Sequence, residues 1–548
     1  MTSLCSRSSK VAAILVAASL LSSPASGQST FNGGTSEQWT TASNWSPSGV
    51  PSGTGAYALI NSQTSALLRL LYTSATFSTQ PAVQIGAINF LSTLANTSGT
   101  SSGTFNVQNN SGGTKGTLRL YGIDTTVDGV SSRFILINSS TLTNVQFTQS
   151  NAGQDFELFT NGAIHVTAGT QLTVTSLIRN GGTTAQSITK TGRGVLSFSG
   201  ANQVSDLSTY SGGFTLDGGI VQWALSGTAL ANSSFGTGPL TLKSGTLRST
   251  TATGRSITTS VILDGTTTFG STVSSAVTGT FTGNITVNSL GGALATTVAS
   301  DSVISIVAGG STAWNQSVSG AGSITKAGGG LLRITSLSTL THTGSTVVQE
   351  GGLSMNGNLS SLGNVTVFSG AQLTGTGSIA GATTIQAGGT FSPGNVGGSV
   401  GLFTFGSGGL SLGGQTVMEL TGTSRGIDYD AVNLGGVLTY GGGMSLNISG
   451  SYGDLTELKL FDFSAAPLGD FTSITTTGLY GALTLTNDGF GVWTSGPTSI
   501  AGQTLRFTQS TGLLTVVPEP SAIVLGGCGA AAVAAWTRRR RRTFRRAA

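Results

Sequence analysis

The chain has 548 residues, of which 84 are Gly and 159 are Ser or Thr, whereas only 8% are charged and 37% are hydrophobic. This composition excludes a disordered chain, which combines low hydrophobicity with high charge. It also excludes collagen, because the glycines follow no three-residue period. The formal charge of +5 and the pI of about 9.4 suggest a basic, nucleic-acid-binding protein, unless the charges are confined to particular segments.

The first 27 residues have the pattern of a secretory signal peptide. Arg7 and Lys10 form a basic n-region, residues 11–21 are apolar, and residues 24–27 are a short small-residue stretch suited to cleavage. The apolar run is too short to cross a bilayer, and a buried amphipathic helix is the less favoured alternative at the extreme N-terminus. Residues 1–27 are therefore predicted to be a signal peptide, and the protein to be exported.

Residues 28–517 show no 3.6-residue amphipathic pattern but recurrent short strand signals. Runs of four to six residues alternate apolar side chains with Ser or Thr and are separated by Gly-Gly, Ser-Gly or Asn-Gly, as at 171–177, 238–242 and 364–368. Such alternation between turn glycines predicts short β-strands. Two architectures fit this spacing, a string of β-sandwiches or a β-solenoid.

An internal repeat favours the solenoid. The stretch SITKTG at 187–192 and its continuation to 222 match SITKAG at 323–328 and its continuation to 355 over about 35 residues. Each copy is too small to bury its own apolar face, so it must stack on neighbouring copies. The two copies resemble the autotransporter-associated β-strand repeat, although the individual repeats have drifted.

This resemblance implies an all-β fold, a right-handed parallel β-helix spanning residues 28–412. At roughly 22 residues per rung, the body would form about 20 rungs stacked over about 100 Å. Trp39 and Trp45 are candidates for the N-terminal cap that a solenoid needs. From about Gly413 acidic and aromatic residues become more frequent, and residues 413–515 are predicted to be a C-terminal β module that closes the solenoid.

The C-terminal segment 516–548 combines three features in a fixed order. Pro518, Glu519 and Pro520 precede the uncharged apolar stretch 521–536, which is followed by Arg538, Arg539, Arg540, Arg541 and Arg542. A short apolar helix with arginines behind it is typical of a membrane-retained tail with a cytoplasmic basic end. A nuclear-localisation or RNA-binding arm is the alternative for the arginines, and the export signal disfavours it.

This tail resembles the PEP-CTERM protein-sorting signal of Gram-negative bacteria. The resemblance implies that a membrane sorting enzyme of the exosortase type recognises the segment and cleaves it near Pro518-Glu519-Pro520. The protein would then be held briefly at the inner membrane by its C-terminal helix before delivery to the cell surface or the extracellular space.

The charges and cysteines belong largely to the two ends. Between residues 28 and 517 there are 15 basic and 18 acidic residues, a formal charge of −3. The basic pI is therefore no evidence for nucleic acid as a partner. Cys5 and Cys528 both lie outside this body, which accordingly has neither a disulfide nor a cysteine metal site.

Few residues of the body are candidates for an active site. His165 and His342 lie far apart in the sequence and have no acidic neighbours, and His342 occupies an aromatic position of its repeat, so packing is favoured over catalysis. Asp428 and Asp430 would lie on one face of a strand because they are two residues apart, and Asp155 with Glu157 form a second such pair. Surface solubility is the favoured role of both pairs.

These observations predict an exported, non-enzymatic surface or matrix protein with a structural or adhesive role. No catalytic residue, metal site or cofactor is predicted, and extracellular polysaccharide or cell-surface components are the candidate partners. The alternative is a polysaccharide lyase or glycosidase on the same scaffold, which would need paired carboxylates such as Asp428 and Asp430. A conventional autotransporter passenger is a third possibility, disfavoured because the chain ends in arginines and not in an aromatic strand.

Overall fold

The structure is a computed structural model. It describes residues 28–31, 39, 42–60, 67–69, 83–90, 104–108, 116–122, 133–137, 144–148, 154–199, 208–223, 234–249, 255–270, 285–289, 292–500, 502–518, 533 and 535–536.

The described part of the chain is nearly all β, with fifty strands and a single 3-10 turn at Ala42–Asn44. The N-terminal strands are β1 (Gln28–Phe31), β2 (Trp45–Ser46), β3 (Tyr57–Ile60), β4 (Leu67–Arg69), β5 (Val83–Ile85), β6 (Ala87–Phe90), β7 (Thr104–Gln108), β8 (Gly116–Leu120), β9 (Arg133–Ile137), β10 (Asn144–Thr148) and β11 (Gln154–Leu158). They are followed by β12 (Gly162–Val166), β13 (Gln171–Val174), β14 (Leu177–Asn180), β15 (Ser187–Thr191), β16 (Val195–Phe198), β17 (Gly213–Trp223), β18 (Leu240–Ser249), β19 (Arg255–Ile257), β20 (Val261–Phe269) and β21 (Ile285–Val287).

The strands continue at shorter intervals towards the C-terminus. The next are β22 (Ala295–Val298), β23 (Ser302–Ile306), β24 (Ser311–Trp314), β25 (Ser317–Gly320), β26 (Ile324–Ala327), β27 (Leu331–Ile334), β28 (Thr339–Leu340), β29 (Thr346–Val348), β30 (Gly352–Met355), β31 (Asn358–Leu359), β32 (Val365–Val367), β33 (Gln372–Gly375), β34 (Ser378–Ile379), β35 (Thr383–Ile385) and β36 (Thr390–Pro393). The last are β37 (Leu402–Phe405), β38 (Leu410–Leu412), β39 (Gln415–Leu420), β40 (Ala431–Leu434), β41 (Leu438–Tyr440), β42 (Gly443–Ile448), β43 (Glu457–Lys459), β44 (Phe461–Phe463), β45 (Leu468–Gly469), β46 (Ser473–Gly478), β47 (Thr484–Asn487), β48 (Val492–Thr494), β49 (Gln503–Thr508) and β50 (Leu513–Pro518).

Three ladders of parallel strands run along the molecule, and successive turns of the chain add strands to them. The first ladder comprises β1, β3, β6, β9, β12, β15, the beginnings of β17, β18 and β20, then β22, β25, β28, β31, β34, β37, β40 and β44. The second comprises β4, β7, β10, β13, β16, the ends of β17, β18 and β20, then β23, β26, β29, β32, β35, β38, β41 and β45. The third comprises β5, β8, β11 and β14 and, further along the chain, β19, β21, β24, β27, β30, β33, β36, β39, β42 and β46.

These long parallel sheets are consistent with the predicted β-solenoid. The length of a rung follows from the pairing register: Val318 pairs with Leu340 and Leu340 with Leu359, which gives rungs of 22 and 19 residues. Towards the C-terminus Leu434 pairs with Phe463, a rung of 29 residues. The predicted value of about 22 therefore holds in the middle of the body, whereas other rungs carry longer corners.

The alternation seen in the sequence separates a buried interior from an outer surface. In β32, for example, Val365 and Val367 are buried and the intervening Thr366 is partly exposed. Each side chain that faces inwards lies on the equivalent residue of the next rung, so the interior is a continuous apolar core along the ladders. Most of the described Val, Ile, Leu and aromatic residues of the body are thus buried, whereas Ser and Thr form much of the surface.

Glycine occupies corners where consecutive rungs come close together. Gly351 has a positive φ of 68°, and a Cβ at this position would overlap the carbonyl oxygen of Gly330 on the preceding rung. A side chain there would be strained and would also push the two rungs apart. The high glycine content therefore reflects close stacking at the corners as well as turn geometry.

Both ends of the ladders are covered by strands of a different direction. At the N-terminal end β2 pairs antiparallel with β1, and Trp45 packs between Phe31 and Trp39, with ring centroids 5.0 and 4.7 Å apart. Parallel pairing continues through β46, within the segment 413–515 predicted as a terminal module. From Thr484 onwards the strands β47, β48, β49 and β50 pair antiparallel. The earlier strand β43 joins them by pairing antiparallel with β50.

The predicted signal peptide at 1–27 lies outside the described residues. Of the predicted C-terminal helix at 521–536, only Val533, Ala535 and Trp536 are described, and they do not amount to a helical element. Within the described part of the chain, no helix has the length and apolarity required to cross a membrane. Both end segments therefore stay predictions from the sequence.

Candidate functional site

The predicted pairing of Asp428 with Asp430 on one face of a strand is wrong. Both residues lie in the connection between β39 and β40, where the chain forms a turn. The Asp428 carboxylate accepts the backbone N–H of Ser424 at 3.0 Å. This bond and one from the Ser424 hydroxyl lower the pKa of Asp428. The carboxylate of Asp428 thus stabilises a surface turn, whereas that of Asp430 is buried.

The structure instead brings Asp430 together with Glu419 of β39. Asp430 accepts the N–H of Gly401 through Oδ1 at 2.7 Å and that of Glu419 through Oδ2 at 2.9 Å. Burial, followed by the hydrogen bond to the Glu419 carboxyl group, raises the pKa of Asp430 to about 9. Asp430 therefore holds its proton at neutral pH.

The Glu419–Asp430 pair links two segments of consecutive rungs. The Asp430 side chain connects Gly401 to the end of β39. Gly401 directly follows the exposed segment 395–400 and precedes strand β37. The Ser392 hydroxyl donates a hydrogen bond of 3.4 Å to Glu419 Oε2. Neighbouring carboxyl groups occur in acid–base catalysis, but here both oxygens of Asp430 accept backbone N–H groups. The sequence pattern did not indicate Glu419, because it is eleven residues away from Asp430.

The second predicted pair, Asp155 and Glu157, lies in strand β11, and the contacts of Glu157 are described. Glu157 lies between two arginines of neighbouring rungs, with Arg119 Nε and Arg179 Nη2 each 2.8 Å from a carboxylate oxygen. The three residues occupy the same register position in β8, β11 and β14. Glu157 therefore joins rungs through charge-assisted hydrogen bonds, and the side chain of Asp155 lies outside the described part of the structure.

The two histidines are on different rungs and contact threonines. The ring of His165 is 3.0 Å from the Thr191 hydroxyl through Nδ1, and that of His342 is 3.0 Å from the Thr346 hydroxyl through Nε2. His342 is fully buried, as is Tyr210 at the corresponding position of the other repeat copy, and burial lowers the pKa of His342. The predicted packing role of His342 agrees with this environment.

Two buried lysines are the functional groups that sequence reasoning missed. Lys190 and Lys326 occupy the same position in the two repeat copies, and neither is exposed. Lys190 Nζ donates to the carbonyls of Thr191, Gly192 and Gly218 at 2.7, 2.8 and 3.3 Å. Burial lowers the pKa of Lys190 to about 7. The signal was present in the sequence as one lysine in an otherwise apolar and hydroxyl-bearing strand.

Lys326 repeats this arrangement. Its Nζ donates to the carbonyls of Ala327, Gly328 and Glu350 at 2.9, 2.7 and 2.9 Å. Burial lowers the pKa of Lys326 to about 8, and the Glu350 carboxylate partly opposes the shift. In both copies the lysine ammonium group hydrogen-bonds to carbonyls of its own corner and of the corner on the next rung.

Of the sorting-signal residues Pro518, Glu519, Pro520 and Arg538 to Arg542, Pro518 alone is described. It is the last residue of β50 and lies opposite Gln503 of β49. Glu519, Pro520 and the arginines at 538–542 lie outside the described part. The described residues contain no cluster of three His, Cys, Asp or Glu side chains that could hold a metal ion.

Comparison with models of known protein families and with curated proteins gives no match to this chain.

Proposed function

We propose that this protein is an exported, non-enzymatic β-solenoid of the bacterial surface or extracellular matrix, with a structural or adhesive role. In this proposal the ladders form a right-handed β-helix, and an exosortase-type enzyme sorts the chain by its C-terminal signal. The observation that carries the proposal is that buried or partly buried charged side chains form contacts within the fold. Lys190, Lys326, Glu157 and Asp430 all tie neighbouring rungs or segments together.

A stiff surface with many hydroxyl groups suits weak contacts repeated along its length. Hydroxyl and amide side chains of neighbouring rungs hydrogen-bond to one another on the outside, for example Ser378 to Asn358 at 2.7 Å. Such contacts hold the outer side chains in a regular array that follows the spacing of the strands, about 4.8 Å. This supports a role in which binding is distributed over many rungs.

The sorting part of the proposal can be tested on the full chain in a Gram-negative host that has an exosortase system. We expect mass spectrometry of the surface fraction to find the wild-type chain ending near Pro518, without its arginines. A variant with Ala at Pro518, Glu519 and Pro520 should stay in the inner membrane with the arginines attached, and Pro497→Ala should be sorted normally. Arginines retained on the surface protein would contradict the proposal.

The alternative is a carbohydrate-active enzyme, and the close approach of the Glu419 and Asp430 carboxyl groups is the observation that favours it. Glycosidases use two carboxyl groups whose pKa values differ. A screen for polysaccharide cleavage with Asp430→Asn and Glu419→Gln, and with Asp428→Asn as the control, separates the two functions. Cleavage that is lost in the first two variants and retained in the third would overturn the non-enzymatic proposal.

A further inference from the structure

An open cleft of about 340 Å³ lies on the outer surface where two neighbouring strands of the first ladder end. The lining residues come from the ends of β40 and β44 and from the corners that follow them: Asn433, Leu434, Gly435, Asp462, Phe463 and Ser464. The pairing register places Asn433 beside Asp462 and Leu434 beside Phe463. We call this depression the outer cleft.

The amide of Asn433 is held in one orientation. Arg425 Nη1 donates to Asn433 Oδ1 at 2.8 Å. The guanidinium group is itself fixed by bonds to the carbonyls of Lys459 at 2.9 Å and Val432 at 3.0 Å. Because the oxygen of Asn433 is occupied by Arg425, its Nδ2 hydrogens are the donors that it offers to the cleft.

The neighbouring rung supplies an acceptor and an apolar wall. The Asp462 side chain is 59% exposed, and its Oδ1 lies 3.7 Å from Lys459 Nζ. The Phe463 ring is partly buried against the core, with Lys459 Nζ 5.7 Å from its centroid. Gly435 completes this part of the lining.

This set of groups has the chemistry of a sugar site. A donor and an acceptor stand side by side on rungs about 4.8 Å apart, next to an aromatic ring and a glycine. A pyranose presents neighbouring hydroxyls, which both donate and accept, together with apolar C–H groups. Polar groups at defined positions beside an apolar wall are what small-molecule sites require. The Asp462 carboxylate already has Lys459 as its counter-ion, and the Arg425 guanidinium is bound to Asn433 and two carbonyls, so the groups left for a ligand suit the hydroxyls of an uncharged sugar.

We propose that the outer cleft binds a neutral sugar unit of an extracellular polysaccharide. Asn433 donates to one hydroxyl, Asp462 accepts from its neighbour, and Phe463 packs against the C–H groups of the ring. The inference deepens the proposed surface role and rests on it for the origin of the polysaccharide. The binding test below needs no sorting, so failure of the cleft and failure of the sorting signal are distinguishable.

Isothermal titration calorimetry on the full chain, in a detergent without a sugar headgroup, tests the proposal. The probes are glucose, galactose, mannose and xylose, and their disaccharides. We expect millimolar binding of at least one of them. Asp462→Ala should weaken it by about tenfold or more, as expected when a charge-assisted hydrogen bond is removed, and Phe463→Leu should weaken it while retaining the core packing.

The matched control is Asp264→Ala. Asp264 is likewise a surface aspartate with a lysine nearby, 3.9 Å from Lys243 Nζ, and it does not line the outer cleft. Its replacement should change the affinity by less than about twofold, the scatter expected for a distant site. Absence of binding for the whole panel at millimolar concentrations, or equal weakening by Asp264→Ala and Asp462→Ala, would overturn the proposal. Unchanged circular dichroism of each variant shows that the fold is retained.

Discussion

At the scale of single residues, two buried ionisable side chains of this protein, those of Asp430 and Lys190, hydrogen-bond to its backbone. Asp430 accepts two N–H groups, and Lys190 donates to three carbonyls. Burying an ionisable group without such partners would cost several kcal/mol. Only 8% of the residues of this chain are charged. Asp430 and Lys190 therefore occupy positions where the fold needs backbone hydrogen bonds that the shorter side chains of Ser and Thr would not reach.

The raised pKa of Asp430 predicts a pH dependence of stability. In the folded state Asp430 keeps its proton up to about pH 9, whereas its usual pKa is 3.8. Its contribution to the free energy of unfolding is therefore fully present below pH 3.8 and is lost as the pH rises towards 9. Between pH 5 and 7 we expect the free energy of unfolding to fall by up to about 1.4 kcal/mol per pH unit from this group.

Asp430→Asn should remove this slope in denaturant titrations at pH 5, 6 and 7. Asp428→Asn is the matched control, because the pKa of Asp428 is lowered and its carboxylate is ionised in both states over this range. The control should keep the wild-type slope. Glu419→Gln removes a carboxyl group that raises the pKa of Asp430 and should reduce the slope. A fall in Asp430→Asn as steep as that of the wild type would contradict the assignment.

At the scale of elements, the recurring unit is a strand, a lysine-tied glycine corner and a second strand. Lys190→Met keeps the length of the side chain and removes the three hydrogen bonds to Thr191, Gly192 and Gly218. We expect a local loss of roughly 1–3 kcal/mol, measured as faster hydrogen exchange of the peptides covering β15 to β17. Lys243→Met, at a lysine that is 47% exposed, should leave exchange unchanged. Equal effects of both variants would show that the corner bonds are unimportant.

The sequence predicted the strands and the internal repeat, but neither the lysine contacts nor the ladder to which each copy belongs. Lys190 lies on β15 of the first ladder, and Lys326 lies on β26 of the second. The two copies therefore lie on adjacent sides of the solenoid. This shift could not be predicted, because a glycine corner has the same sequence pattern at each edge. For the same reason the run 171–177, predicted as one strand, passes round a corner and contributes to both β13 and β14.

The candidate site was less predictable than the fold. The pairing of Asp428 with Asp430 assumed an extended strand, whereas the chain forms a turn in which a spacing of two residues does not define a face. The contacts that define the sites, Asp430 with Glu419 and Asn433 with Asp462, join residues that are 11 and 29 positions apart. Such pairs depend on rung length, which varies from corner to corner and leaves no local pattern.

At the scale of the whole molecule, stability depends on each rung and its neighbours, because contacts between distant rungs are absent from the ladders as described. The ends are then the weak points, since an uncovered strand edge can pair with another molecule. At the C-terminal end the last parallel rung is covered by the antiparallel strands β47 to β50, and β43 pairs with β50. An aromatic cluster packs there: the ring centroid of Phe507 lies 6.1 Å from that of Phe471 and 6.3 Å from that of Phe461.

Truncating this cluster should therefore open one end and leave the other intact. Phe507 is fully buried, and Phe507→Ala should cost about 3–5 kcal/mol locally, with faster hydrogen exchange in β40 to β50 and association of molecules in light scattering. Phe490→Ala is the control, because this phenylalanine is 92% exposed at the turn between β47 and β48. Exchange of β12 to β18 should stay at its wild-type rate in both variants. Uniform acceleration along the chain in Phe507→Ala would instead show that the solenoid unfolds as a single cooperative unit.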